Sequence, residues 1–232
     1  MTVLPALGED RPLPVVSGSL GILGGTFDPI HFGHLAIAEE ARESLGLERV
    51  IFVPARVPPH KPDQPISSVV DRVAMVELAI ADNPAFALSR IELDRDGPSY
   101  TVDTLDLLAA EARGEGRVPD LVFVMSAEAF AAILTWREPR RIVELARIAV
   151  MPRPGHAAPR AEWIRDNFAG LEDRVVLLAG PHIGLSGSEI RDRARRGRSI
   201  RYLVPPVVAG YIAGHRLYDS RPDIEPWRND RP

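Results

Sequence analysis

Apolar positions along the chain follow two alternating rhythms. Leu20 to Leu23 and Val50 to Val53 are short continuous apolar runs closed by turn residues, as expected of strands buried on both faces. Between them Leu35, Ala38, Ala41 and Leu45 recur at the spacing of one helix face, so the segment predicts a βαβ unit. Val69, Val73, Val76 and Ile80 predict a second helix, and Val102, Leu105 and Leu108 a third. Leu121 to Met125, Ile148 to Met151 and Val175 to Leu178 predict further strands. Strand and helix thus take turns from Leu20 to about Leu178, which predicts an α/β fold: an open parallel sheet with helices on both faces. Ligands in such a sheet sit beyond the carboxyl ends of the strands, where strand order reverses. Residues 1–18 are rich in proline and glycine and are expected to form a flexible arm. Residues 19–218 read as a single domain and 219–232 as a frayed tail. No internal repeat breaks this organisation.

Composition narrows the chemistry. With 45% apolar and 26% charged residues, the chain has the makings of an ordinary globule with a sizeable core. It has no cysteine, which excludes disulfides, thiolate nucleophiles and cysteine-zinc sites and suits a reducing cytoplasmic setting. The first eighteen residues carry Glu9 and Asp10 and lack the basic-then-apolar order of a secretory leader, and no later run has the length of a membrane span. A net charge of −4 gives no support to a nucleic-acid partner. Lys61 is the single lysine among 28 basic residues, and no G-x-x-x-x-G-K-[ST] segment exists, so Walker-type ATPases are excluded.

The first candidate site is Gly24-Gly25-Thr26-Phe27-Asp28-Pro29-Ile30-His31-Phe32-Gly33-His34, which joins the first strand to the first helix. Adjacent glycines let a backbone approach a ligand closely, Asp28-Pro29 sets a turn, and free amides at the helix start favour an anion. His31 and His34 are three apart, so within one helical turn their rings project from the same face and can grip one charged group together. Gly33 is expected to leave a gap against which a base or ribose lies. The glycines do not make G-x-G-x-x-G and the second strand ends in Val53-Pro54 without an acidic residue, which disfavours a dinucleotide-dependent hydride transfer. Zinc lacks an evident third ligand, and the spacing is not H-E-x-x-H.

The second is Ser186-Gly187-Ser188-Glu189, which satisfies the S-x-x-E capping box and predicts a helix start. Ser188 and Arg191 stand three apart on its face, placed beside the free amides of the helix start to hold an anionic group. The arginines at 193, 195, 196, 198 and 201 read as a solvated surface.

The first stretch resembles the G-x-[F]-[DQ]-P-x-H-x-G-H element of the adenylyl- and cytidylyltransferase superfamily, and Leu185 to Arg191 is similar to its I-S-[SA]-[ST]-x-[IV]-R element. The resemblance implies a Rossmann-like HxGH nucleotidyltransferase that uses ATP with Mg²⁺ held mainly by the ATP phosphates, without metal-binding protein residues. His31, His34 and Arg191 are then the expected catalytic residues. Gly24, Gly25, Thr26, Phe27, Gly33, Lys61, Ser186, Ser188 and Glu128 are expected at ATP. Pro58-Pro59-His60-Lys61, Ser99-Tyr100-Thr101-Val102-Asp103-Thr104-Leu105 and Thr135-Trp136 resemble stretches of bacterial nicotinate mononucleotide adenylyltransferases, which implies that Ser99, Tyr100, Thr101, Trp136 and Arg137 hold the acceptor, with the indole stacked on its pyridine ring. The reaction implied is ATP plus nicotinate mononucleotide giving deamido-NAD and pyrophosphate, in a protein with no nucleic-acid or membrane partner and with a homo-oligomer left open. The alternatives are pantetheine-phosphate adenylyl transfer, whose enzymes usually carry threonine where this chain has His31, and a non-catalytic nucleotide sensor. One departure stands out: Ser126-Ala127-Glu128 replaces the family's usual G-x-D.

Overall fold

The computed structural model describes residues 18–57, 66–114, 118 and 120–219. All but Gly18 of the expected arm and all but Asp219 of the expected tail lie outside the described residues. Six strands form one sheet: β1 (Leu20–Gly25), β2 (Arg49–Pro54), β3 (Phe86–Leu88), β4 (Leu121–Ser126), β5 (Ala146–Met151) and β6 (Val175–Leu177). Their order is β3-β2-β1-β4-β5-β6, and every neighbouring pair is parallel. The chain steps outward from β1 to β3, then returns to lay β4 against the other side of β1. Strand order therefore reverses between β1 and β4, and a crevice must open there, because the connections leaving these two strands depart in opposite directions.

Helices α1 (Phe32–Leu45), α2 (Val69–Ile80), α7 (Gly187–Arg195) and α8 (Pro206–Gly214) cover one face. Helices α3 (Thr101–Gly114), α4 (Ala127–Ala131), α5 (Pro139–Leu145) and α6 (Ala161–Asn167) cover the other. The continuous apolar runs are explained by this double cover, since consecutive strand residues point to opposite faces. Leu23, Val122 and Val124 pack on the first face with Ala38, Leu45, Phe52, Met75 and Ile190. Ile22, Leu121 and Phe123 pack on the second with Leu105, Phe130, Ile142 and Phe168.

Local signals account for several boundaries. Helix α1 ends where Gly46 adopts a left-handed conformation (φ 61°), which lets the Leu47 amide reach back to the Arg42 carbonyl at 2.9 Å. Ser68 starts α2 by accepting the Asp71 amide at 3.1 Å. The expected capping box at Ser186 is not formed: Ser186 occupies the N-cap position of α7, but its side chain makes no capping bond. Strand β3 was not legible in the apolar pattern. Three half-buried residues at a sheet edge carry no alternation to read, and β3 exists because Phe52 and its neighbours on β2 offer it a ladder.

The stripe of α2 that reads as apolar contains a fully buried cation, Arg72. Its Nη1 donates to the Thr26 carbonyl at 2.8 Å and its Nε to the Ser67 carbonyl at 3.2 Å, tying α2 to the turn after β1. Burial lowers its pKa, and the Asp28 carboxylate works against that shift. Replacing Arg72 with leucine leaves two carbonyls unpaired and takes one of two cations away from the buried Asp28 carboxylate. We expect unfolding free energy in urea to fall by about 3 kcal/mol or more; a loss below ~1 kcal/mol would show that the tie is dispensable.

Candidate active site

The carboxyl ends of β1 and β4 border a cleft of about 680 Å³, within the range of small-molecule sites. Gly24, Gly25, Thr26, Phe27, Gly33, His31 and His34 line it from the first motif, and Ser186, Ser188 and Arg191 from the start of α7. Ser99, Tyr100, Thr101, Trp136 and Arg137 line it from the α3 side, and Glu128 from the end of β4. Sequence separations of more than 150 residues are thus closed by the sheet. Lys61, with Pro58, Pro59 and His60, lies outside the described residues.

His31 is the N-cap of α1 with extended backbone, and His34 sits one turn later, so the two imidazoles stack at 3.7 Å between centroids and 16° between planes. His34 Nδ1 accepts the His31 amide at 3.3 Å, which orients that ring. Phe27, buried and held at φ 51°, meets His34 edge-on at 5.0 Å. A left-handed phenylalanine backbone is a costly conformation that persists only when its surroundings fix it, and here it seats the ring beneath the imidazole pair. The gap expected beside Gly33 is taken: a Cβ there would lie 3.0 Å from His31 Nδ1 and 3.4 Å from Ile183. Gly33 therefore makes room for the His31 ring, and its backbone still lines the cleft.

Burial and the nearby Arg153 guanidinium lower the His31 pKa to about 4. Its ring is therefore neutral at pH 7 and able to hydrogen-bond without carrying charge. Its Nδ1 is buried without a protein partner. Positive charge comes instead from arginines. Arg191 Nη1 donates to the Asp28 carbonyl at 2.6 Å and Nη2 to Ser188 Oγ at 3.2 Å, which fixes the guanidinium between the two motifs. Gly187 permits that approach, because a Cβ there would stand 3.0 Å from the Asp28 carbonyl oxygen.

Glu128, expected at ATP, is engaged: its carboxylate pairs with Arg153 Nε at 2.7 Å on the strand-exit turn after β5. Ser126, where a glycine would be usual, accepts the Ala129 amide at 3.2 Å and starts α4. The departure from G-x-D is thus a capped helix start followed by an acidic side chain paired to a cleft arginine. Across the cleft, Arg137 lies 5.0 Å over the Tyr100 ring and 3.6 Å from Asp103, while Trp136 packs edge-on to Phe123. The Ser99 hydroxyl accepts the Arg56 amide at 3.0 Å and so binds the acceptor-side turn to the exit of β2.

Three cleft residues went unread in the sequence. Glu92 is buried, accepts the Thr104 hydroxyl at 2.6 Å, and has its pKa raised by burial. Arg153 follows β5, and Asp28 was read only as a turn former. A strand-exit position is the one signal that could have marked Arg153; nothing local marks Glu92. Among the described residues no group of three His, Asp or Glu could hold a metal ion, and no helix is long and apolar enough to cross a membrane.

A cytidylyltransferase-like family model matches residues 22–193. A protein named "probable nicotinate-nucleotide adenylyltransferase" from Thermomicrobium roseum is 48% identical over 86% of this chain and 91% of its own length. One of the same name from Roseiflexus sp. is 46% identical over 87% of this chain and 98% of its own. A solved structure of Plasmodium falciparum nicotinic acid mononucleotide adenylyltransferase complexed with NaAD has the same fold, with a TM-score of 0.68 at 19% identity over 87% of this chain and 97% of that one.

The depressed His31 pKa makes a stability prediction. A native value of about 4 against an ordinary 6.5 means that the native state binds fewer protons than the unfolded one between those values. The His31 contribution is thus fully present above about pH 6.5 and is lost as pH falls toward 4, by on the order of 3 kcal/mol. Urea unfolding at pH 7.5 and pH 4 should show wild type losing more stability than His31→Gln by this amount. Parallel losses in both proteins would mean that His31 is not held neutral by the fold.

Proposed function

The chain belongs to the cytidylyltransferase-like family and, within it, to the nicotinate-nucleotide adenylyltransferases, and from that premise we propose that it transfers the adenylyl group of ATP to nicotinate mononucleotide, giving nicotinate adenine dinucleotide and pyrophosphate in NAD biosynthesis. The observation that carries the reading is the convergence of the stacked His31–His34 pair and Arg191 on one wall of a single cleft whose opposite wall holds Tyr100, Thr101 and Trp136.

The chemistry is one in-line displacement. An oxygen of the acceptor phosphate forms a bond to the α-phosphorus as the bond from that phosphorus to the bridging oxygen of the β-phosphate breaks, and the electron pair leaves with pyrophosphate. The acceptor phosphate has a second pKa of about 6, so it is already ionised near pH 7 and needs no general base. Rate then depends on positioning and on donors aimed at the phosphoryl oxygens. In this reading His31 and His34 donate to the α-phosphate, Arg191 and Ser188 hold the departing pyrophosphate, and Gly24 to Phe27 let the backbone approach the nucleotide. Thr101 and the amides at the start of α3 receive the nicotinate carboxylate, and Trp136 stacks on the pyridine ring, with Tyr100 and Arg137 flanking it.

Mg²⁺ fits as a passenger on ATP rather than a resident ion, because Asp28, the buried carboxylate nearest the phosphate wall, already faces Tyr218, Ser67 and Arg191. Such an ion supplies charge neutralisation on the phosphates.

Pyrophosphate release from ATP and Mg²⁺ should require nicotinate mononucleotide and fall to background with pantetheine phosphate; the reverse pattern would overturn the assignment. His34→Ala should reduce kcat by at least ~10². Trp136→Ala should raise the acceptor KM by roughly tenfold, with the KM for ATP unchanged, as lost aromatic stacking predicts.

A further inference from the structure

Behind the phosphate wall lies a buried carboxylate that none of the proposed steps uses. The Asp28 side chain is 1% exposed. Its Oδ1 accepts the Tyr218 phenol at 2.6 Å and its Oδ2 the Ser67 amide at 3.1 Å. Arg191 Nη1 stands 3.9 Å from Oδ2 while donating to the carbonyl of the same residue at 2.6 Å. Asp28 therefore holds Arg191 by its main chain and faces it with its charge, and Tyr218 fixes the carboxylate from the far side.

Tyr218 comes from the turn after α8, beyond the residues matched by the family model, and it does not line the cleft. Its backbone is left-handed, at φ 65°. That conformation is unfavourable for a tyrosine and needs something to hold it; the phenol bond to Asp28 and the packing of the ring against the core both do so. Burial and the Asp28 charge push the phenol well above its usual pKa range, so it remains a donor at any pH of assay. The seat of α8 is secured separately, by Tyr211 donating to Asp71 on α2 at 3.0 Å.

We propose that Tyr218 is a positioning residue for nucleotide binding: through its bond to Asp28 it sets the turn of the first motif at the place where Arg191 is anchored, and so aims Arg191 at the ATP phosphates. The inference rests on the adenylyl-transfer reading only in taking Arg191 as a phosphate ligand, and it is independent of the acceptor.

The test is a double-mutant cycle read by calorimetric ATP–Mg²⁺ binding and by the KM for ATP. Tyr218→Phe keeps the ring and removes one donor to a charged acceptor. It should weaken ATP binding about tenfold, leave the acceptor KM within about twofold, and leave a cooperative melting transition. In an Arg191→Ala background the same change should cost less than about twofold, because Tyr218 acts through the group already removed. Asp28→Asn, which removes the charge facing Arg191, should show the same pattern, so the cycle does not depend on one variant. Equal losses in both backgrounds would make Tyr218 merely structural, and unchanged ATP affinity in Tyr218→Phe or in Arg191→Ala would overturn the proposal outright. Failure of the acceptor assignment would look different: ATP binds and responds to the cycle while nicotinate mononucleotide yields no product.

Discussion

In the proposed reading two segments more than 150 residues apart present their groups to one triphosphate, and they meet at the turn around Asp28. The Asp28 carbonyl accepts Arg191 from α7, its carboxylate accepts the Ser67 amide and the Tyr218 phenol, and Arg72 grips the neighbouring Thr26 carbonyl from below. In a low-dielectric interior such a cluster is rigid when each member is paired and unfavourable when one is missing. Two arginines against one carboxylate leave this floor net positive, which suits a wall that must meet a triphosphate.

The electrostatics of the cleft differ from what the histidine motif suggests by itself. The paired imidazoles are spaced to grip one charged group, yet burial and Arg153 keep His31 neutral. The division of labour that results is physically reasonable. Guanidinium groups supply charge that does not titrate, and a neutral imidazole supplies a hydrogen bond that needs no reorganisation as negative charge builds.

The acceptor side is built differently, from turns tied to neighbouring strands. The Ser99 hydroxyl accepts the Arg56 amide and the Thr104 hydroxyl donates to Glu92, so both brace this wall. The Glu128–Arg153 pair closes the end of the cleft under β4 and β5. Here Ser126 caps the short helix that carries Glu128, which fixes the carboxylate where Arg153 can reach it.

By itself the sequence determined what depends on short spacing. The alternation of apolar runs and helical stripes located five of the six strands and the helix that follows β1. The three-residue interval placed His31 and His34 on one helical turn, and the order of the two motifs put them after strands, at the open end of the sheet. Tertiary structure alone decided what depends on burial and on contacts across the chain. It put a charged Arg72 in an apolar stripe, filled the space beside Gly33 with the His31 ring, left Ser186 without its capping bond, and brought Glu92, Arg153 and Tyr218 into the account. The reason is the range of the forces involved. Helix and strand periodicity is written every two to four residues, whereas the desolvation that silences an imidazole and the partner that steadies a carboxylate exist only once distant segments have closed over them.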